Sequence, residues 1–70
     1  GDIGHAKAKS IALNHAGVSE SKAYDMDIEL DGEDGRLIYE VEFKSGNTEY
    51  DYKIDASSGA VLKHESELDD

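Results

Sequence analysis

The sequence predicts an α+β domain in which a single N-terminal helix packs on one face of a small antiparallel sheet of three main strands plus a short C-terminal strand. Three observations predict it. An Ala-rich stretch near the N-terminus repeats its apolar residues at helical spacing, the segments between Tyr24 and Asp55 alternate apolar with polar residues, and glycine-bearing polar turns cut that alternation into hairpins. A chain of 70 residues has room for one domain with one modest core.

The helix is expected over about residues 5–16, a run with no Pro or Gly in which Ala8, Ile11, Ala12, His15 and Ala16 share one face. Lys7, Lys9, Ser10 and Asn14 fall mainly opposite. Ile3 is placed to close a hydrophobic staple onto Ala8, and Gly17 to end the helix in the left-handed conformation. Alanines let the helix lie close to a sheet, with Ile11 and Leu13 as its large anchors.

The first strand, about 23–31, alternates Tyr24, Met26, Ile28 and Leu30 with Asp25, Asp27, Glu29 and Asp31. A polar run from Asp31 to Arg36, with Gly32 and Gly35, reads as the hairpin loop. The second strand, about 36–44, sets Leu37, Tyr39, Val41 and Phe43 on the dry face and Ile38, Glu40, Glu42 and Lys44 on the wet one. A two-residue turn at Gly46-Asn47 then leads into a third strand over about 48–55, pairing Phe43 with Tyr50, Val41 with Tyr52 and Tyr39 with Ile54. Every apolar residue of that hairpin lands on one face, so the register is supported by the phase of the sequence. Tyr24, Tyr39, Tyr50 and Tyr52 read as core residues with hydroxyls at the rim. A turn from Asp55 to Gly59 precedes a short last strand, about 60–64, and the acidic residues after it read as a solvated end.

The formal charge is -10, and it is uneven. Residues 1–24 hold three Lys against Asp2 and Glu20, whereas the rest of the chain holds fifteen acids against four bases. Such a surface repels phosphate, which excludes direct nucleic-acid binding and disfavours anionic membranes. No apolar run has the length of a membrane span, so no direct membrane insertion of this segment is expected. The absence of Cys removes disulfides and thiolate metal sites. The chain begins at Gly1-Asp2 without an initiator Met, as a processed or excised piece does.

On the wet face, the expected register sets Lys44 opposite Glu49 and Glu40 opposite Lys53, both favourable, and Glu42 opposite Asp51, which is not. Pairing Leu30 with Leu37 brings Asp25 beside Glu42, giving a three-strand row of Asp25, Glu42 and Asp51. With Asp27 and Glu40, these residues form the candidate partner-binding acidic face. Salt, a bound cation or a basic partner would relieve the row.

Catalytic and metal motifs fail one by one. The Asp31 to Gly35 loop does not place Gly and Glu at the spacing an EF-hand requires, and His5, His15 and His64 lack zinc-ligand spacing. There is no nucleophile elbow, and carboxylates on an open face should stay ionised, unsuited to general-acid work. The residues predict no enzyme and no cofactor. They do not fix the oligomeric state: an edge strand of so small a sheet is able to pair with another copy, although its acids argue against it.

Taken in order, Ala8 to Val18 (A-x-x-I-A-L-x-x-A-G-V), Gly35 to Phe43 (G-R-L-I-Y-E-V-E-F) and Tyr50 to Leu62 (Y-D-Y-K-I-D-A-S-S-G-A-V-L) resemble the PepSY domain, from about Ile3 to Lys63. The resemblance implies a noncatalytic extracytoplasmic bacterial module, secreted or attached to the cell envelope, that binds and inhibits or modulates a peptidase or another envelope protein. It carries no catalytic residues over to this chain. Gly4 stands where the family often has a Ser or Thr helix cap. The alternative is an acidic structural or cation-responsive interaction module of a larger envelope protein.

Overall fold

The computed structural model describes residues 2–68. Helix α1 spans His5–Ala16 and is followed by a single 3-10 turn, Glu20–Lys22. Four strands come next: β1 (Tyr24–Glu33), β2 (Arg36–Ser45), β3 (Thr48–Asp55) and β4 (Val61–Leu68), in one antiparallel sheet of order β1-β2-β3-β4. The α+β class and the helix on one face of the sheet are as the sequence predicts.

Helix α1 begins at Gly4 without a side-chain cap; instead the Gly4 N–H donates to Asp2 Oδ1 at 2.9 Å. The same carboxylate oxygen accepts the Tyr39 hydroxyl at 3.1 Å, and the Ile3 N–H donates to the Ala56 carbonyl at 2.8 Å. Two of these contacts tie the segment ahead of the helix to β2 and to the residue that follows β3. At the other end Gly17 has φ 72, which only glycine adopts without strain, and Val18 N–H returns to the Leu13 carbonyl at 3.0 Å.

The core lies between α1 and the helix-facing side of β2 and β3. Ala8, Ala12 and Leu13 meet Tyr39, Val41, Phe43, Tyr52, Ile54 and Ala56, with Ile11, Met26, Ile28 and Tyr50 packed at its margin. Ile11 therefore sits at the edge of the core and Leu13 inside it. The β2–β3 register is the predicted one at every pair, from Ile38 opposite Asp55 to Ser45 opposite Thr48. A helix of 12 residues is about 18 Å long and a ten-residue strand about 33 Å. The helix cannot roof the whole apolar face, so Leu30 and Leu37 stay exposed.

The first hairpin departs from the expected pairing. Its turn is the two residues Asp34-Gly35, with φ 50 and 78, the left-handed pair of a type I′ turn. Leu30 therefore faces Tyr39 instead of Leu37, and Asp27 instead of Asp25 faces Glu42. Asp25, with φ 54, is taken up in a bulge between Tyr24 and Asp27. The bulge also removes Tyr24 from the core; it is 47% exposed, and its hydroxyl donates to the Gly46 carbonyl at 2.7 Å.

At the C-terminus, β4 continues to Leu68 along β3, beyond the short strand expected over 60–64. Residues 65–68, read from sequence as part of a solvated end, are exposed strand; Asp69 and Asp70 lie outside the described residues.

Candidate functional site: the acidic open face

Strand alternation sends every second side chain of the sheet away from the helix, and among the described residues no element covers that side. The ladders arrange this face in rows. Asp27, Glu42, Asp51 and Glu65 line up across all four strands, a row of like charge. The next row reads Glu29, Glu40, Lys53 and Lys63, and on the other side Lys44, Glu49 and Glu67 follow one another from β2 to β4.

Of the five residues predicted for this site, Asp27, Glu40, Glu42 and Asp51 come together. Asp25 does not: it sits in the bulge, where its carboxylate lies 3.9 Å from Lys44 Nζ. Glu65 and Glu29 complete the rows and were missed. The alternation Lys63, Glu65, Glu67 and the Asp34-Gly35 turn were the signals that would have found them.

Cations on this face lean toward its far end. Lys53, although opposite Glu40 in the ladder, reaches Glu33 Oε2 at 2.7 Å, and Arg36 approaches Asp55 at 3.5 Å. Between them lies Ile38, buried outside the helix-side core, with Arg36, Lys53 and Leu62 lining the same hollow. The predicted wet-face position of Ile38 thus holds, but its side chain is dry.

At the centre, single carboxylate oxygens of Glu40, Glu42 and Asp51 lie within 4.8 Å of one another. Asp51 Oδ1 is buried and has no hydrogen-bond partner among the described residues. Burial, then a hydrogen bond shared with Asp51 and the charges of Asp51 and Glu42, pushes the Glu40 carboxyl up to about 7. Burial and then the Asp51, Asp27 and Glu49 charges raise Glu42. Glu29 is raised by a hydrogen bond with Asp27 and by its charge. The expectation that these carboxylates all stay ionised therefore fails at Glu40, because two half-buried acids side by side hold a proton more tightly. Chemically, the cluster is able to hold that proton, to receive ammonium or guanidinium groups, or to offer hard oxygen ligands to a divalent cation.

On the helix side, Tyr52 bonds His15 Nδ1 through its hydroxyl at 2.9 Å, and the rings of His15 and His64 stand 4.6 Å apart. His15 thus joins α1 to β3 and β4.

Among the described residues no helix is long and apolar enough to cross a membrane. The family model for the peptidase propeptide and YPEB domain matches residues 3–65. The chain is 48% identical over 61 residues to the uncharacterized protein Spy1430 of Streptococcus pyogenes serotype M6, an overlap of 87% of this chain and 47% of that protein. The chain thus spans about half the length of the curated relative it matches. No solved structure matches it.

Proposed function

This chain belongs to the PepSY family, and we propose that it is a noncatalytic extracytoplasmic module that binds a peptidase or another envelope protein and restrains its activity. The family's association with peptidase propeptides supports the peptidase, and the Asp27–Glu42–Asp51–Glu65 row supports a surface for it. That row carries the reading: four like charges set side by side cost stability in the free module and gain from a basic surface laid across them. Partner binding therefore returns what the isolated fold gives up.

The test is inhibition of a purified thermolysin-like metallopeptidase by the isolated chain at near-stoichiometric amounts. The triple variant Asp27→Asn, Glu42→Gln, Asp51→Asn is expected to weaken inhibition by at least about tenfold while remaining folded. Full inhibition by that variant would remove the acidic face from the reading, and no effect of the wild type at high excess on peptidases of its own producer would remove the peptidase.

A second reading is favoured by the orphaned Asp51 Oδ1: a divalent cation held by Glu40, Glu42 and Asp51 would supply its missing partner. Millimolar calcium is then expected to raise the melting temperature by a few degrees, as any ligand of the folded state does, and Glu42→Gln with Asp51→Asn to abolish the response. A double variant that melts higher without calcium, beside a wild type indifferent to it, identifies plain repulsion instead.

A further inference from the structure

Among the described residues, each edge of the sheet has no neighbouring strand on its outer side, which makes it a template for another strand. The two edges are not equivalent. Between Tyr24 and Glu33, β1 has five acids and no base, so a second β1 laid beside it sets acid against acid; both edge ladders carry one irregularity, β1 at Asp25 and β4 at Leu62. On β4, Lys63 shares the open face with Glu65 and Glu67, and the ladder with β3 is regular from Lys63 to Leu68, ahead of which Leu62 is taken up in a register shift. Within the molecule the first two of these are mismatched, since Lys63 lies opposite Lys53 and Glu65 opposite Asp51.

We infer that two copies of this chain pair β4 to β4, antiparallel about a two-fold axis at His64, so that Lys63 of each copy faces Glu65 of the other. In an antiparallel pair, residues equally distant from the axis oppose one another and point to the same face. The acidic row then runs Asp27, Glu42, Asp51, Glu65 and on to the second copy's Lys63 and Lys53. The row beside it runs Glu29, Glu40, Lys53, Lys63 and on to the second copy's Glu65 and Asp51. Both mismatches at the edge of the single molecule thereby acquire an opposite charge. Neighbouring registers do not achieve this: an axis at Glu65 sets that residue against itself, and one at Ser66 sets Glu65 against Glu67 twice. Charge complementarity thus selects both the occupant and the register. The result is one eight-stranded sheet with both helices on one side and the two acidic faces joined on the other. The pairing is independent of what the acidic face binds.

Sedimentation equilibrium of the 70-residue chain from micromolar to millimolar concentration tests this. The wild type is expected to move from monomer toward twice that mass, and Lys63→Glu and Glu65→Lys each to weaken association by at least about tenfold. An equimolar mixture of the two variants is expected to associate again, because each then supplies the charge the other needs. Within the monomer, the new charges face Lys53 and Asp51 favourably, so both variants should melt no lower than the wild type and unfolding does not explain their loss of pairing. Glu67→Lys is expected to leave association unchanged, since Glu67 faces no charge in this register. A wild type that stays monomeric to millimolar concentration overturns the inference. So does association that is indifferent to Lys63 and Glu65, or that is lost with Glu67→Lys.

Discussion

Replacing Phe43 with Ala is expected to destabilise the fold by about 3–5 kcal/mol and to leave most of the chain unfolded at 37 °C. Phe43 is 1% exposed at the centre of the helix-side core. Its ring stacks on Tyr50 at 4.9 Å and lies parallel to Tyr52 at 6.3 Å, so one truncation removes two aromatic contacts with β3. The helix cannot fill the space: the residues it buries there are Ala8, Ala12 and Leu13, and two of these are too short to reach into a cavity. A chain of this size commands only about 0.05–0.15 kcal/mol per residue of net stability, so the loss is comparable to the whole. Urea unfolding followed by circular dichroism checks it. Phe43→Leu, which keeps most of the volume, should cost less than half as much, and a loss below about 1 kcal/mol for the alanine variant would show that the core collapses around the gap.

Stability is expected to rise as the pH falls from 8 toward 5, and Glu40→Gln to remove most of that dependence. Glu40 titrates at about 7 in the fold against 4.5 for an ordinary Glu. A raised value means that the fold holds this proton more tightly than the unfolded chain does. Its contribution is therefore fully present below about 4.5 and lost as pH rises through about 7. Glu42 and Glu29, both raised, act in the same direction. Asp55 acts in the opposite one. Backbone N–H donors of Ser58 and Ser57 lower its value, so its contribution is present above the ordinary Asp range and lost only as pH falls through its depressed one. The curve should therefore peak in mild acid and fall at lower pH. Solvent screening at a half-buried site leaves about 1 kcal/mol of the Glu40 effect at pH 8, worth about 4–8 °C in melting temperature for Glu40→Gln. The gain should vanish near pH 4.5, the ordinary Glu value, and parallel melting curves for variant and wild type would refute the assignment.

The helix and the β2–β3 hairpin were legible because each carries a redundant signal. In β2–β3 the turn and the apolar phase demand the same register, and the fold obeys both. In the first hairpin, two glycines in one polar run read as a loop from Asp31 to Arg36, whereas the left-handed pair Asp34-Gly35 alone makes the turn. The shorter turn moves the acidic row by two residues, from Asp25 to Asp27. β4 was harder to see, since an edge strand carrying His64 and Ser66 on one face and Lys63, Glu65 and Glu67 on the other shows no hydrophobic period. Glu40, Glu42 and Asp51 were legible as a cluster because they lie on the well-determined hairpin. The dry position of Ile38 was not, because the residues beside it in the hollow, Arg36 and Lys53 among them, count as wet in a polarity pattern.

The acids of β1 bear on how many neighbours the sheet is able to accept. With one side closed by its own charge, the molecule has a valence of one for strand addition. Units of valence one stop at pairs; a filament needs two. An eight-residue strand left open on the other side is thereby separated from the fibre-forming hazard that such strands usually carry, because no growing end survives the first addition.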